Sequence, residues 1–305
     1  MANELLINNS FANNKFDMKN LFNLKVLQGS WITIAFILMF LQTNLFAQKP
    51  FLFMNSKPLE GKVILAAFAH PDDEMTVAPI LARYAREGAK VYLVIVTDGR
   101  LGVNDKTDYV AGGGVVAMRQ REMKCAASKL GVELIHLKYH DQLKSGEGYD
   151  GHIPHVRSMI KAMHGIVEKL KPDVIITWGP DGGYAHIDHR LVSLTMTQIF
   201  TSRVWDRPTS LYYYGTPTES IEDPKTKWGS FSKIVSGQDK KYLTTHVSYT
   251  EEDMIKAYNS VICHVSQLQH TRSWETYKAK REKNGKIIYL RKFVAPTKIS
   301  NSVFD

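Results

Sequence analysis

Cysteine is nearly absent from this chain: two residues, Cys125 and Cys263, among 305. Each lies in a helix-like segment and neither belongs to a CxxC pair, which argues against a thiolate metal site and against a disulfide framework. The expectation is that the two remain unbridged. An apolar run long enough to cross a bilayer, which needs ~20 residues, is also missing. The most apolar stretch, Trp31 to Leu41, is broken by Thr33 and stops at Gln42-Thr43-Asn44. No internal repeat and no strong linker divides the chain. The net charge is +9, concentrated near Lys225-Lys227, Lys240-Lys241 and Lys278 to Lys292, but no aromatic-interleaved basic motif accompanies it. That favours a solvated basic surface, with no nucleic acid as partner. With 44% hydrophobic and 23% charged residues, the chain is neither a multi-span membrane protein nor a disordered one.

The N-terminus has the layout of a secretory signal. Met18-Lys19 and Lys25 precede the apolar run, and Leu45-Phe46-Ala47 precedes Gln48. The expected organisation is an upstream extension over 1–17, a signal peptide over 18–47, a linker over 48–57 and a catalytic domain over 58–305. The mature protein is then exported, periplasmic or extracellular, without stable membrane insertion. No cysteine near the cleavage point supports a lipid anchor. The sequence does not set the oligomeric state.

Short apolar runs alternate with helical patterns through the first two thirds of the mature chain. Val63 to Phe68, Val91 to Val96, Leu134 to Leu137 and Val174 to Thr177 read as strands, with Leu211 to Tyr214 as one more. Glu74 to Arg86, Val116 to Leu130, Ile153 to Leu170 and Ile187 to Phe200 read as helices. Such alternation predicts an α/β fold: a Rossmann-like, mostly parallel sheet with helices on both faces, in a single domain. Thr250 to Asp253 resembles a capped helix start, and Asn284-Gly285 a hairpin turn.

Two clusters of polar residues follow two of these strands. They are Ala69-His70-Pro71-Asp72-Asp73-Glu74 and Gly182-Gly183-Tyr184-Ala185-His186-Ile187-Asp188-His189. Open α/β sheets bind ligands beyond the carboxyl ends of their strands, so both clusters belong to one rim. His70 and Asp73, three apart on a turn, with His189, make a His/Asp/His set that leaves a metal an open position, as a catalytic zinc requires. Ferrous iron suits the same donors. Asp72 is then a spare carboxylate able to take a proton from water. His186 suits stabilisation of charge on an attacked carbonyl, and Asp188 the orientation of an imidazole through its ring N–H.

These residues resemble the LmbE-like (PIG-L type) zinc-dependent deacetylases, which remove acetyl groups from N-acetylglucosamine-containing substrates. The resemblance continues at Thr97-Asp98-Gly99, Arg119-Gln120-Arg121-Glu122, Leu130-Gly131-Val132, Asp141 and His264-Val265-Ser266-Gln267, in order over roughly residues 60 to 270. It implies zinc on His70, Asp73 and His189, Asp72 as general base, His186 at the oxyanion, and Arg119, Asp141 and His264 on the substrate side. The implied partner is a small molecule or glycan bearing an N-acetyl group. The chain departs from the family at Ile187, where proline is usual, which touches the turn rather than the chemistry.

Each residue has a plainer rival. Glu74 reads as a helix-start carboxylate favoured by the macrodipole, Asp98-Gly99 as a simple turn, and Arg119 as a surface partner of Glu122. Tyr184 reads equally as a mobile pocket wall or as a loop aromatic. His136, His140, His152, His155, His164, His246 and His270 read as non-functional. The rival activities are an amidase or esterase on another acyl group, a non-haem iron oxygenase using His70 and Asp72, and a non-catalytic carbohydrate-binding protein. The α/β pattern argues against the second, because such iron triads usually sit on all-β scaffolds. The spare carboxylate of Asp72 argues against the third.

Overall fold

The computed structural model describes residues 57–103, 108–221, 231–267 and 273–294. The extension, the signal segment and all but Lys57 of the linker lie outside the described residues, as do Lys225-Lys227 and His270.

Five parallel strands form the body of the sheet: β1 (Val63–Phe68), β2 (Lys90–Thr97), β3 (Glu133–Tyr139), β4 (Val174–Trp178) and β5 (Ser210–Tyr214). Thr216–Pro217 (β6) and Gly237–Gln238 (β7) form a small separate ladder. The strands β8 (Thr245–Ser248) and β9 (Ile287–Lys292) extend the main sheet antiparallel, giving seven strands in the order β3-β2-β1-β4-β5-β9-β8. Strand order runs outward from β1 in one direction and from β4 in the other. The crevice between β1 and β4 is therefore a topological switch point, where open α/β sheets take their ligands.

Along β1, side chains alternate between two cores. Ile64, Ala66 and Phe68 face one, together with Ile80 and Leu81 of α1 (Ala78–Arg86), Met123 and Leu130 of α2 (Gly113–Leu130), and Met254 and Val261. Leu65, Ala67 and Ala69 face the other, together with Met159 and Met163 of α3 (Gly148–Leu170) and Val192 and Met196 of α4 (Ile187–Thr201). Burial on both faces is why this strand reads as an unbroken apolar run. α2 ends where Gly131 takes φ 73°, a conformation glycine adopts without a Cβ penalty.

Three expectations are corrected. Cys125 and Cys263 form a disulfide, with Cα atoms 5.8 Å apart across 138 residues of sequence. The apolar face of α2, with Met123 and Ala126, packs on that of α6 (Glu251–Val261), with Ala257 and Val261. This brings together two cysteines that nothing in their spacing connects. Asn284-Gly285 is not a hairpin turn either. It ends a helix, α7 (Trp274–Lys283), and leads into β9; Gly285 N–H and Lys286 N–H donate to Glu282 O and Arg281 O. The segment after β1 is also split: a 3₁₀ turn over Asp73–Thr76 precedes α1, which has Pro79 in its first turn. Phe231–Ser236 (α5) packs near the loop that follows β4.

Candidate active site

The first cluster leaves the end of β1 in a turn that places Asp72 at φ 100°, a region L-residues rarely enter. Asp73 fixes this turn. Its Oδ2 accepts the backbone N–H of Ala69 and of His70, each at 2.9 Å, and the indole N–H of Trp178 at 3.0 Å. Its Oδ1 lies 3.2 Å from His189 Nε2. The second cluster enters from β4. His186 caps α4, its Nδ1 accepting Asp188 N–H at 3.2 Å, and His189 follows within the first turn.

Two imidazoles meet at the centre. His70 Nδ1 lies 3.0 Å from His189 Nε2. His70 Nε2 lies 3.0 Å from both Asp188 Oδ2 and Asp141 Oδ1, and His189 Nδ1 lies 3.0 Å from Gly182 O. Those acceptors assign the ring protons to the outer nitrogens. Two lone pairs then face one another beside a carboxylate oxygen, an arrangement that a cation satisfies. His70 Nδ1 and Asp73 Oδ1 both approach His189 Nε2, which makes these three the candidate donors for a divalent metal. The groups whose ligand atoms all lie within 4.8 Å of one another among the described residues are His70, His186 and His189, and His70, Asp141 and Asp188. The latter group is the grip on His70 Nε2. In the former, His186 has Nδ1 engaged with the backbone.

The carboxylates around His70 favour positive charge there, which either an imidazolium proton or a divalent ion on the neutral ring supplies. Burial opposes charge on His70, but its bonds to Asp141, Asp188 and Asp73 outweigh it and hold its pKa well above the ordinary value. Burial likewise opposes the anion at Asp73, and His189 and His70 override it, pulling the carboxyl well below the usual range. Asp141 is also lowered: its bond to His70 overcomes burial. Such a cluster concentrates negative potential where a cation sits.

Asp72 stands apart from this set. Its Oδ2 accepts Arg119 Nη2 at 3.1 Å, and its backbone N–H donates to Glu74 Oε2 at 3.1 Å. Burial pushes its carboxyl up, and the Arg119 guanidinium pulls it back. Arg119 is 2% exposed and also donates to Pro71 O and Gly102 O. The surface pair with Glu122 is therefore not formed; Glu122 is buried and accepts Ser266 N–H and Oγ–H, each at 2.7 Å. Gly99, at φ 66°, is required by this packing, since a Cβ there would come within 2.6 Å of Arg119 Nε.

An open cavity covers the cluster, lined by His70, Asp72, Asp73, Arg119, Asp141, Tyr184 and His186 among others. Tyr184 is a wall of it, 59% exposed, with its ring 5.1 Å from that of His189. Asp141 lines the cavity too, but its carboxylate is committed to His70 and to Leu101 N–H. His264 is moved by the structure from the substrate side to the support: it is fully buried, Nε2 2.6 Å from Glu74 Oε1. Glu74 is correspondingly no simple helix-start carboxylate, since it links His264 to Asp72. His136, His140, His152, His155, His164 and His246 do not line the cavity. Sequence reasoning passed over Gln142, Trp178 and Gln267. Gln267 stands in the His264-Val265-Ser266-Gln267 motif, whereas Trp178 and Gln142 carry no local signal.

The sequence from 65 to 200 matches the family model described as GlcNAc-PI de-N-acetylase, PIG-L. This stretch is similar to the PIG-L family. A 1D-myo-inositol 2-acetamido-2-deoxy-alpha-D-glucopyranoside deacetylase of Corynebacterium glutamicum is 32% identical over 155 residues, 45% of this chain and 52% of that protein. The chain thus spans about half the length of the curated relative it matches. Among solved structures, an N,N'-diacetylchitobiose deacetylase from Pyrococcus horikoshii superposes with TM-score 0.55 at 21% identity, covering 76% of this chain and 84% of that one. A 4-carboxy-2-hydroxymuconate hydratase from Pseudomonas putida reaches 0.56 at 15% identity, covering 79% and 100%. The mostly parallel fold is shared by both, so the fold alone does not choose between hydrolysis and hydration. Ile187 occupies the first helical position of α4, where proline is favoured for its fixed φ.

Proposed function

We propose that this protein is a metal-dependent deacetylase of an N-acetylglucosamine-type substrate. The observation that carries the reading is the approach of His70 Nδ1 and Asp73 Oδ1 to His189 Nε2, with the carboxylate of Asp72 on the same cavity and held by Arg119. A divalent ion on that set, with zinc preferred and ferrous iron tolerated by the same donors, would act as a Lewis acid on the acetamide carbonyl and make water a nucleophile near neutral pH. Asp72 takes the proton from the attacking water and passes it to the departing nitrogen. His186, whose Nδ1 accepts a backbone N–H, carries its proton on Nε2 and donates to the oxygen that gains charge. Asp188 and Asp141 hold the His70 ring through Nε2, fixing the tautomer that leaves Nδ1 bare. Tyr184 and Arg119 bound the space in which the sugar sits.

Incubating the zinc-loaded protein with a panel of N-acetylated sugars and glycoconjugates should release free acetate. Release of a different acyl group, with none from any acetamido sugar, would make it an amidase or esterase on the same scaffold. The protein acts after export, as the basic start, short apolar run and Leu45-Phe46-Ala47 ending indicate. The disulfide is in keeping with an oxidising compartment. N-terminal sequencing of native protein should begin near Gln48, and an intact 31–47 segment in the membrane fraction would replace export with anchoring.

A further inference from the structure

Trp178, the last residue of β4, touches two of the three side chains to which the proposed metal is assigned. Its indole N–H donates to Asp73 Oδ2 at 3.0 Å. Its ring lies flat on the His189 imidazole, centroids 4.2 Å apart and planes within 5°. The indole is itself fixed. It is 4% exposed, edge-on to Phe68 and Tyr214 at 5.6 Å each, and a Cβ at Gly183 would come within 2.7 Å of its six-membered ring.

These contacts have a chemical consequence. Asp73 Oδ2 accepts three N–H donors, from Ala69, His70 and Trp178, which uses up the capacity of one carboxylate oxygen. Oδ1 alone is left facing His189 Nε2, so Asp73 is arranged to ligate through a single oxygen and to stay ionised. Two of the three donors are backbone groups that no change of side chain short of proline removes. The third is a side chain that also sets the plane of the second ligand. His189 Nδ1 is held by Gly182 O, but one hydrogen bond leaves a ring free to rotate about its axis; the stacked indole removes that freedom.

The geometry points to Trp178 as a positioning residue that sets the affinity of the metal centre, by saturating one oxygen of Asp73 and orienting His189 in a single rigid contact. The inference rests on the assignment of the metal to His70, Asp73 and His189, and its test separates the two. Zinc affinity is measured on the apoprotein by competition with a chromophoric chelator, with no substrate present. Trp178→Phe keeps an aromatic face for His189 and removes the N–H. Its zinc dissociation constant should rise by roughly 10- to 100-fold, the usual effect of losing a group that supports a metal ligand. A structural role alone would lower the melting temperature of the apoprotein and leave zinc affinity unchanged, and that result overturns the inference. Should the variant fail to fold, the wild-type protein labelled with ¹⁵N-tryptophan decides. The Trp178 indole N–H resonance should move on zinc titration, and a stationary resonance during full zinc uptake overturns the inference as well. Absence of zinc binding in the wild type would instead remove the metal assignment itself.

Discussion

Arg119 Nη2 lies 3.1 Å from Asp72 Oδ2, with the arginine buried and the aspartate opening onto the cavity. The pair joins a helix, α2, to the turn after β1 and gives the proposed general base a fixed positive neighbour. Burial raises the Asp72 carboxyl and Arg119 lowers it, so the charge state of this one group is set by a contest that substitution can unbalance.

Arg119→Ala removes the lowering contribution. The Asp72 pKa should then climb further, and the acidic limb of the kcat/KM profile should shift to higher pH. Because Arg119 also lines the cavity, KM should rise. A pH–rate profile identical to wild type would place Arg119 outside the control of Asp72.

Asp72→Asn keeps the shape and suits the left-handed backbone at φ 100°, since asparagine tolerates that region better than most residues. Zinc content should remain near wild type while kcat falls by roughly 10²- to 10⁴-fold, the range of a general-base contribution. Asp73→Ala should lose zinc and activity together. Elemental analysis alongside kinetics distinguishes them; zinc lost equally from both variants would erase the division of labour between the adjacent carboxylates.

The Cys125–Cys263 bridge closes a long loop between α2 and α6. Cys125→Ser with Cys263→Ser should lower unfolding stability by roughly 2–5 kcal/mol, as loss of a native disulfide does. Wild-type protein under strong dithiol reductant should show the same loss in denaturant titrations. Equal unfolding midpoints with and without reductant would mean that the bridge contributes nothing.

His264 is buried against Glu74. Burial disfavours its charged form, yet Glu74 outweighs this and raises its pKa above the ordinary value. A raised folded-state pKa contributes stability that is complete below the unfolded value of about 6.5 and is lost as pH rises through the folded one. The stability gap between wild type and His264→Ala should therefore be widest in mildly acidic solution and narrow toward alkaline pH. Thermal melts across that range measure it, and a gap that widens with pH would contradict an ionised pair.

Much of the fold can be read from local pattern. The run Val63 to Phe68 is apolar throughout because β1 is covered on both faces, and the other parallel strands are legible as shorter, mainly apolar runs. The clusters around His70 and His189 are equally visible, since imidazoles and carboxylates at strand ends follow the backbone period. What the sequence by itself determined was thus the layered α/β architecture and the donors available at its rim. Pairings across the sheet and between helices were decided only by tertiary structure, because they depend on faces brought together over more than a hundred residues. Cys125 meets Cys263 through the packing of α2 on α6, and His264 reaches Glu74 from 190 positions away. Trp178 stands in sequence just past the run Val174 to Thr177 read as a strand, with no local pattern to mark it. Its indole N–H becomes informative only where the fold aims it at Asp73, since a hydrogen bond depends on direction and distance, and local pattern specifies neither between remote segments.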